Sequence, residues 1–266
     1  MEHHYIWFIW ATAFLLPWTV LYLLNPPLRK VMWRTSAATA LFGLTEPIYV
    51  PVYWNPPSLF NLAQRTGFDI ESMIFTFAIG GIGVTLYNTV AGQHLVPVNG
   101  GERAKPLHRF HLAALLGPFA LFVPLYFLPW NPIYASMTSL AVGAIAAVIC
   151  RPALWKKTVI GGFLFLGIYA VFMLGLVWFA PGYIEEVWNL AALRGGLIYG
   201  IPAEELLFGF AFGLYWTGVY EHFTWSESAA HGGGTTSKPA SPPSLAVAGV
   251  QSSFEFRSHR NEGGGK

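Results

Sequence analysis

The chain has 266 residues, of which 54% are hydrophobic and only 11% are charged, and its formal net charge is +2. A soluble domain carries about 25% charged residues, so this composition excludes a soluble enzyme and also a disordered chain. The balanced charge gives no indication of nucleic-acid binding. The single cysteine, Cys150, excludes a disulfide framework and a multi-cysteine metal site. We therefore expect an all-α integral membrane protein.

Seven apolar stretches are long enough to be membrane-spanning helices, which need roughly 17–25 residues. The first lacks a basic leader region and a cleavage site, so we interpret it as a retained helix. The second is interrupted by Glu46, Pro47 and Pro51, and a six-helix arrangement with this segment half-inserted is the alternative. The predicted spans are 5–24, 36–53, 72–91, 111–128, 133–150, 158–179 and 201–220.

The basic residues predict the orientation, because cytoplasmic loops are enriched in Lys and Arg. With the N-terminus outside, all 15 basic residues except Arg65 and Arg194 fall on the inner side. We expect an inner-membrane protein with its C-terminus in the cytoplasm. After Trp225 the composition changes to Gly, Ser, Pro and Thr. Residues 1–225 are therefore the predicted transmembrane domain, and 226–266 a disordered cytoplasmic tail.

The sequence contains an internal repeat. Residues 71–87 align with residues 204–220 at one constant offset, which matches Glu71 with Glu204 among several identical pairs. This pattern predicts two parallel three-helix repeats, at about 5–91 and 133–225, joined by a connecting helix at 111–128. Repeats of this kind commonly place the working site at their interface.

Acidic residues mark the start of the third and seventh predicted spans. Glu204 and Glu205 follow Pro202, a residue suited to the first turn of a helix. Asp69 and Glu71 lie at the equivalent height in the first copy. Ionisable residues at the rim of an apolar span are costly and are therefore functional candidates. The alternative is that they only complement the positive end of a helix dipole.

Two further motifs have simpler interpretations. His108 and His111 have a spacing that could bind a metal, but they lie in a basic inner loop, which favours a membrane-surface anchor. The glycine-rich sequence at 80–83 resembles part of a phosphate loop, but no strand precedes it, so close helix packing is favoured. Because we find no nucleotide fingerprint and no metal cage, we predict neither a cofactor nor a metal.

These features resemble the lycopene cyclase domain family, a group of small integral-membrane proteins of bacteria, archaea and fungi. The resemblance rests on the Pro-x-Glu-Glu motif that ends at Glu205 and on the sequence Asn-Pro-Pro-Ser-Leu-Phe-Asn-Leu-Ala at 55–63. It covers about 5–222. The first copy departs from the motif, since it has Asp-Ile-Glu-Ser, ending at Ser72.

The resemblance implies a carotenoid cyclase that closes the end of a linear polyene such as lycopene into a ring, with no net redox change. A buried, protonated carboxyl group would start this reaction, and aromatic rings would stabilise the cation that forms. The implied catalytic residues are Glu204, Glu205, Glu71 and Asp69. For substrate binding we predict Pro202 from the motif, Glu46 from its position in the second span, and the available aromatic residues Phe208, Tyr215, Tyr49 and Trp54.

Two other functions stay open on the sequence alone. A non-catalytic membrane subunit, or a pigment-binding scaffold in a larger complex, would account for the altered first motif. A transporter would also use carboxylates inside the membrane, but these acids cluster at one face and do not mark a path. The expected partners are membrane lipid, a hydrophobic polyene or pigment and, for the scaffold, other membrane proteins, with no nucleic acid.

Overall fold

A computed structural model describes residues 5–230, apart from the side chain of residue 102. Most of this part of the chain is helical. The α-helices are α1 (Ile6–Ala13), α2 (Leu15–Leu24), α3 (Arg29–Ala40), α4 (Leu62–Thr66), α5 (Ile70–Val90), α6 (Gly100–Arg103), α7 (His111–Tyr126), α8 (Pro132–Cys150), α9 (Trp155–Phe179), α10 (Tyr183–Val187) and α11 (Ala203–Thr224). Segments of 3₁₀-helix lie at Pro26–Leu28, Leu41–Ile48, Leu59–Asn61, Pro106–Phe110, Pro152–Leu154 and Leu190–Ala192.

The described residues also contain two small antiparallel strand pairs. Strand β1 (Gln93–Pro97) pairs with β4 (Ser226–Ala230), and β2 (Leu197–Ile198) pairs with β3 (Ile201–Pro202). The β2–β3 pair leads directly into α11. Pro202 is therefore the residue that caps the start of α11, one position before the first turn in which the sequence predicts it.

Five stretches of the described chain are long and apolar enough to cross a membrane, which agrees with the predicted all-α membrane class. They are Ile6–Leu24, Ile70–Val90, Pro106–Tyr126, Pro132–Cys150 and Pro152–Phe179. The stretch in α5 is 61% buried within the protein, whereas the one that contains α7 is 11% buried. Helix α5 is thus central, and it packs on α3, α9 and α11, while α7 lies at the edge and packs mainly on α8.

Glycine permits the close packing of α5. A Cβ atom on Gly80 would lie 2.1 Å from Thr39 Oγ1, and one on Gly81 would lie 2.3 Å from Ser36 Oγ. Both distances are well inside van der Waals contact, so a larger residue would push α5 away from α3. This geometry confirms helix packing as the role of the glycine-rich sequence at 80–83.

The segment predicted as the second span, 36–53, is not one continuous α-helix. Helix α3 ends at Ala40, and the chain continues as the 3₁₀ segment Leu41–Ile48. Pro47 lies inside this segment, where it has no N–H to donate to an α-helical hydrogen bond. The tighter winding leaves Glu46 buried. Neither this segment nor α11 is among the five long apolar stretches.

Ordered structure continues beyond Trp225. Residues Ser226–Ala230 form β4, so the predicted disordered tail is corrected for this segment. The backbone ladder to β1 holds it, and Arg151 adds a hydrogen bond from Nη1 to the Ser226 carbonyl at 3.0 Å and an ion pair with Glu227 at 2.5 Å. The rest of the predicted tail, 231–266, lies outside the described residues.

Candidate active site

A cavity of about 430 Å³ is lined by residues of α1, α3, α5, α7, α8, α9, α11 and the 3₁₀ segment Leu41–Ile48. Pockets for small organic ligands have volumes of about 300–1,000 Å³. The lining is mostly apolar and rich in aromatic rings, including Trp7, Trp54, Phe75, Phe172, Phe208 and Trp216. Two carboxylates, Glu46 and Glu205, are part of this lining. Because charge is expensive in such surroundings, these two groups are the chemical centre of the cavity.

Glu205 lies in the first turn of α11 and is held by three donors. Its Oε1 accepts hydrogen bonds from the hydroxyl of Tyr53 at 2.6 Å and from Trp188 Nε1 at 2.8 Å. Its Oε2 accepts a hydrogen bond from the hydroxyl of Tyr169. The side chain is buried. Hydrogen bonds to both oxygens fix the orientation of this carboxylate.

Backbone pairing positions two of these donors. Asn55 N donates to the carbonyl of Val187 at 2.8 Å, and Asn189 N donates to the carbonyl of Tyr53 at 2.9 Å. The result is an antiparallel bridge between Trp54 and Trp188, whose ring centroids are 5.3 Å apart. The loop before α4 and the loop after α10 therefore meet at the mouth of α11.

Glu46 faces the same cavity with a different set of contacts. Its Oε2 accepts a hydrogen bond from Ser72 Oγ at 2.9 Å. Its Oε1 is buried and makes no hydrogen bond with any residue that the structure describes. Glu46 thus has one anchored oxygen and one oxygen that lacks a protein partner. Glu46 was predicted from the sequence as a substrate-binding residue, not as a catalytic one.

Glu204 and Glu71 are buried, but neither is part of the cavity lining. Glu204 Oε1 accepts hydrogen bonds from Gly195 N at 2.7 Å, Arg194 N at 2.9 Å and the Tyr134 hydroxyl at 2.6 Å. Glu71 Oε1 accepts one from Leu59 N at 2.6 Å. Each glutamate therefore holds the loop that precedes its own helix. Glu71 and Glu204, which the sequence analysis pairs as catalytic candidates, thus share a contact with the backbone of a preceding segment.

Asp69 is the N-cap of α5 and also lies outside the cavity lining. Its Oδ1 accepts a hydrogen bond from Ser72 N at 2.5 Å. This contact satisfies one of the unpaired N–H groups at the start of the helix. Burial raises the pKa of Asp69 above its ordinary value. Asp69 therefore fits the alternative interpretation, in which the acidic residues only stabilise the N-terminus of a helix.

The other predicted binding residues divide into two groups. Tyr49, Trp54 and Phe208 line the cavity, and the Tyr49 hydroxyl is hydrogen-bonded to Ser136 Oγ at 2.7 Å. Tyr215 and Pro202 do not line it. The Tyr215 hydroxyl instead donates to the carbonyl of Leu115 at 2.6 Å, which ties α11 to α7.

Sequence reasoning missed Tyr169 and Ser72, which position the two cavity carboxylates. Tyr169 lies in the middle of the apolar helix α9, where a buried hydroxyl needs a partner. That requirement was the available signal, but aromatic residues are too numerous in this chain for it to stand out. Ser72 is the third residue of α5, as Glu205 is the third residue of α11, and a serine at such a position gives no sequence signal that it contacts a carboxylate.

Comparison with known proteins identifies the domain that carries much of this site. A family model described as lycopene cyclase matches residues 131–223, from the start of α8 to the last turn of α11. The chain thus contains a lycopene cyclase domain, and the resemblance to this family is confirmed. No curated protein and no solved structure matches the chain. The matched segment includes Glu205 and two of its donors, whereas Glu46 and Ser72 lie before it.

Proposed function

We propose that this protein is a carotenoid cyclase that converts the linear end of a polyene such as lycopene into a ring. The observation that carries the proposal is the pair of carboxylates, Glu46 and Glu205, in one aromatic cavity of a chain that contains a lycopene cyclase domain. Both carboxylates can exchange a proton with a hydrocarbon held between them. The reaction class needs such exchange and no change in oxidation state.

In this proposal Glu46 is the general acid. Protonated at the oxygen that has no protein partner, it gives its proton to the terminal double bond of the polyene. The neighbouring double bond attacks the resulting carbocation, which closes the ring and moves the positive charge onto it. Ser72 holds the other oxygen and so aims the carboxyl group. Positioned acids of this kind contribute about 10²–10⁴-fold to a rate.

Glu205 is the proposed counter-charge and base. Held by its three donors, the carboxylate would stabilise the ring cation and then accept a proton from the carbon next to it. Loss of that proton restores a double bond within the ring. One proton enters and one leaves, so the product is an isomer of the substrate. Glu71 and Glu204 act as anchors of the loops that shape the site.

Aromatic rings supply the rest of the stabilisation. Trp7 packs edge-on against Trp54 with ring centroids 4.7 Å apart, and Trp54 packs in turn on Trp188. The electron-rich faces of such rings attract a cation that passes between them. An apolar lining also excludes water, which would otherwise add to the carbocation and give an alcohol.

The substrate enters from the bilayer in this account. Phe42, on the 3₁₀ segment, and Phe119, on α7, are stacked with ring centroids 5.6 Å apart. Both line the cavity, yet they are 37% and 41% exposed on the outer surface of the protein. A long polyene dissolved in lipid would pass between these rings with its end group first. The rest of the chain would stay in the membrane.

The finer topology is part of the proposal. Seven spans with the N-terminus outside and the C-terminus in the cytoplasm would make α3 with its 3₁₀ extension the second span and α11 the last. Two parallel repeats are supported by local similarity, since 3₁₀ turns at Pro26–Leu28 and Pro152–Leu154 lead into α3 and α9 respectively. The bridge between Trp54 and Trp188 joins the segments that precede α5 and α11, the last helix of each proposed copy.

A labelling experiment tests the proposed reaction. Membranes that contain the chain would be supplied with lycopene in D₂O buffer without flavin or nicotinamide, and the pigments analysed by mass spectrometry. We expect cyclic carotenoid that carries one solvent deuterium for each new ring. Conversion only when a redox cofactor is added would contradict the mechanism. Lycopene that binds tightly but stays linear would support a pigment-binding subunit and overturn the enzyme proposal.

A further inference from the structure

A cluster of two histidines and the cysteine lies at the other end of α11 from the cavity. Glu205 and His222 are separated by about 26 Å along this helix at 1.5 Å per residue. Near His222, the Sγ atom of Cys150 lies 3.4 Å from His108 Nδ1 and 3.8 Å from His111 Nδ1. One ligand atom from each of these three residues lies within 4.8 Å of the others. Three separate elements, the Pro106–Phe110 segment, α7 and α8, bring them together.

The spacing fits a tetrahedral metal ion. Zinc binds Cys sulfur at about 2.3 Å and His nitrogen at about 2.0–2.1 Å, so a sulfur and a nitrogen on one tetrahedral ion are about 3.6 Å apart. The two distances from Cys150 Sγ lie on either side of that value. Thiolate and imidazole together favour a soft or borderline ion such as Zn²⁺ over Mg²⁺ or Ca²⁺.

The ring of His111 is held in the way that is typical of histidine metal ligands, with one nitrogen bonded to a backbone carbonyl and the other left with its lone pair. His111 Nε2 lies 2.6 Å from the carbonyl oxygen of His222. Because a carbonyl oxygen can only accept, Nε2 carries the hydrogen and the lone pair of the neutral ring is on Nδ1. That lone pair is the one next to Cys150. A backbone carbonyl that fixes the tautomer of a histidine in this way is a common feature of metal sites.

The cluster also has room for a fourth ligand. A void of about 10 Å³ lies beside it, lined by His108, His111 and His222 among others. His222 is buried, and its Nε2 makes no hydrogen bond to any residue that the structure describes. A void of this size is close to the volume that one water needs. A metal-bound water there would complete the tetrahedron and give His222 a partner.

The charge balance permits a cation at this position. Arg151 also lines the void, but its guanidinium is paired with Glu227 at 2.5 Å. Glu221, another residue of the lining, faces Lys157 at 2.7 Å. The thiolate that Cys150 would present adds one negative charge, so the ion would not meet an uncompensated positive field.

We infer that His108, His111 and Cys150 form a zinc site that ties the start of α7 to the end of α8. The site is structural in this inference, since it lies far from the cavity and holds the connecting helix, the most exposed long helix, onto the bundle. It stands independently of the proposed cyclase activity. It also differs from the sequence prediction of no metal, because spacing within a loop could not show that Cys150 is the third ligand.

The test is metal content and cobalt spectroscopy on the full chain, purified in detergent without a histidine tag. After saturation with Zn²⁺ and removal of excess, we expect close to one zinc per chain, and loss of that zinc in Cys150→Ser and His111→Gln. The control His94→Gln, in β1, should keep it. With Co²⁺ in place of Zn²⁺, wild type should show a thiolate-to-cobalt absorption band that Cys150→Ser lacks.

The cobalt band on wild type decides the question even where a variant does not fold. Folded wild-type protein that retains no zinc and shows no thiolate-to-cobalt band would overturn the inference and leave a hydrogen-bonded His–Cys cluster. Zinc retained at the wild-type level in Cys150→Ser would also overturn it, because the ion would then be bound elsewhere.

Discussion

Ser72 Oγ donates a hydrogen bond to Glu46 Oε2 at 2.9 Å, and Ser72 occupies the position in α5 that Glu205 occupies in α11. The two halves of the chain therefore supply the cavity in different ways. In α11 the carboxylate comes from the helix itself. In α5 a serine takes that position and holds a carboxylate from the preceding 3₁₀ segment. The altered first motif thus leaves the cavity with two carboxylates.

Replacement of Ser72 by Ala should lower cyclisation without loss of the fold. The change removes the hydrogen bond that aims the Glu46 carboxyl group, and a hydrogen bond between neutral groups contributes about 0.5–1.5 kcal/mol. We expect about a tenfold fall in kcat with little change in KM, measured as cyclic product per folded chain. Ser136→Ala is the control on another wall of the cavity. An equal loss in both variants would indicate general damage to the cavity.

Tyr169→Phe should make Glu205 less effective as the counter-charge and base of the proposed reaction. The substitution keeps the ring and removes one of three donors, so we expect about a tenfold or greater loss of product formation. Tyr215→Phe is the matched control, because the Tyr215 hydroxyl bonds to Leu115 outside the cavity. That variant should change thermal stability more than rate. Unchanged activity in Tyr169→Phe would remove this tyrosine from the site.

A polar side chain between Phe42 and Phe119, the proposed entrance to the cavity, should hinder substrate entry. Phe119→Asn puts an amide beside the path of an apolar polyene, and burial of an unpaired amide costs about 1–3 kcal/mol. We expect KM for lycopene in liposomes to rise about tenfold while kcat stays close to wild type. Val123→Asn, on an exposed part of the same helix, is the control. Similar KM values for both variants would place the entrance elsewhere.

The buried ion pair at the other end of the bundle should govern stability and leave activity per folded chain unchanged. Lys157 Nζ lies 2.7 Å from Glu221 Oε1 and also donates to Asn88 and Ser228. Lys157→Met leaves a buried carboxylate without its partner, which costs about 3–5 kcal/mol. Thermal unfolding in detergent should show a clear fall in Tm. The exposed neighbour Lys156 gives the control Lys156→Met, which should unfold near the wild-type temperature.

Sequence patterns predicted the class of the protein because hydropathy and length depend on local composition. The mostly helical membrane class and the packing role of the glycines at 80–83 were predictable in this way, whereas the lycopene cyclase domain was predictable from short motifs. The 3₁₀ winding of Leu41–Ile48 was not, since it depends on how Pro47 and Glu46 pack against α5. Strand β4 was also missed, because its partner β1 is more than 100 residues away in the chain.

The site was only partly predictable for a related physical reason. The position of a glutamate in a predicted helix indicates where its backbone lies, but not which neighbours its side chain contacts. Glu204 and Glu205 are adjacent, so on a helix they point in different directions. One turns to the backbone of Arg194 and Gly195, and the other to the cavity. Glu46 could be recognised only once its segment was folded against α5.

We propose that Glu46 and Glu205, in the cavity, carry the reaction and that Glu71 and Glu204, outside it, anchor loops. The most direct measurement compares four glutamine variants, at Glu46, Glu205, Glu71 and Glu204, by cyclic carotenoid formed per folded chain and by thermal stability. Glu185→Gln, an exposed change on α10, is the control. Each variant keeps the size of the side chain and removes its capacity to give or accept a proton.

We predict that Glu46→Gln and Glu205→Gln lose at least about a hundredfold of the activity, as expected when a positioned acid or base is removed. Glu71→Gln and Glu204→Gln should stay within a few-fold of wild type and lose about 1–3 kcal/mol of stability through weaker loop contacts. The contrary result is near-normal product in Glu46→Gln and Glu205→Gln together with a hundredfold loss in Glu204→Gln or Glu71→Gln.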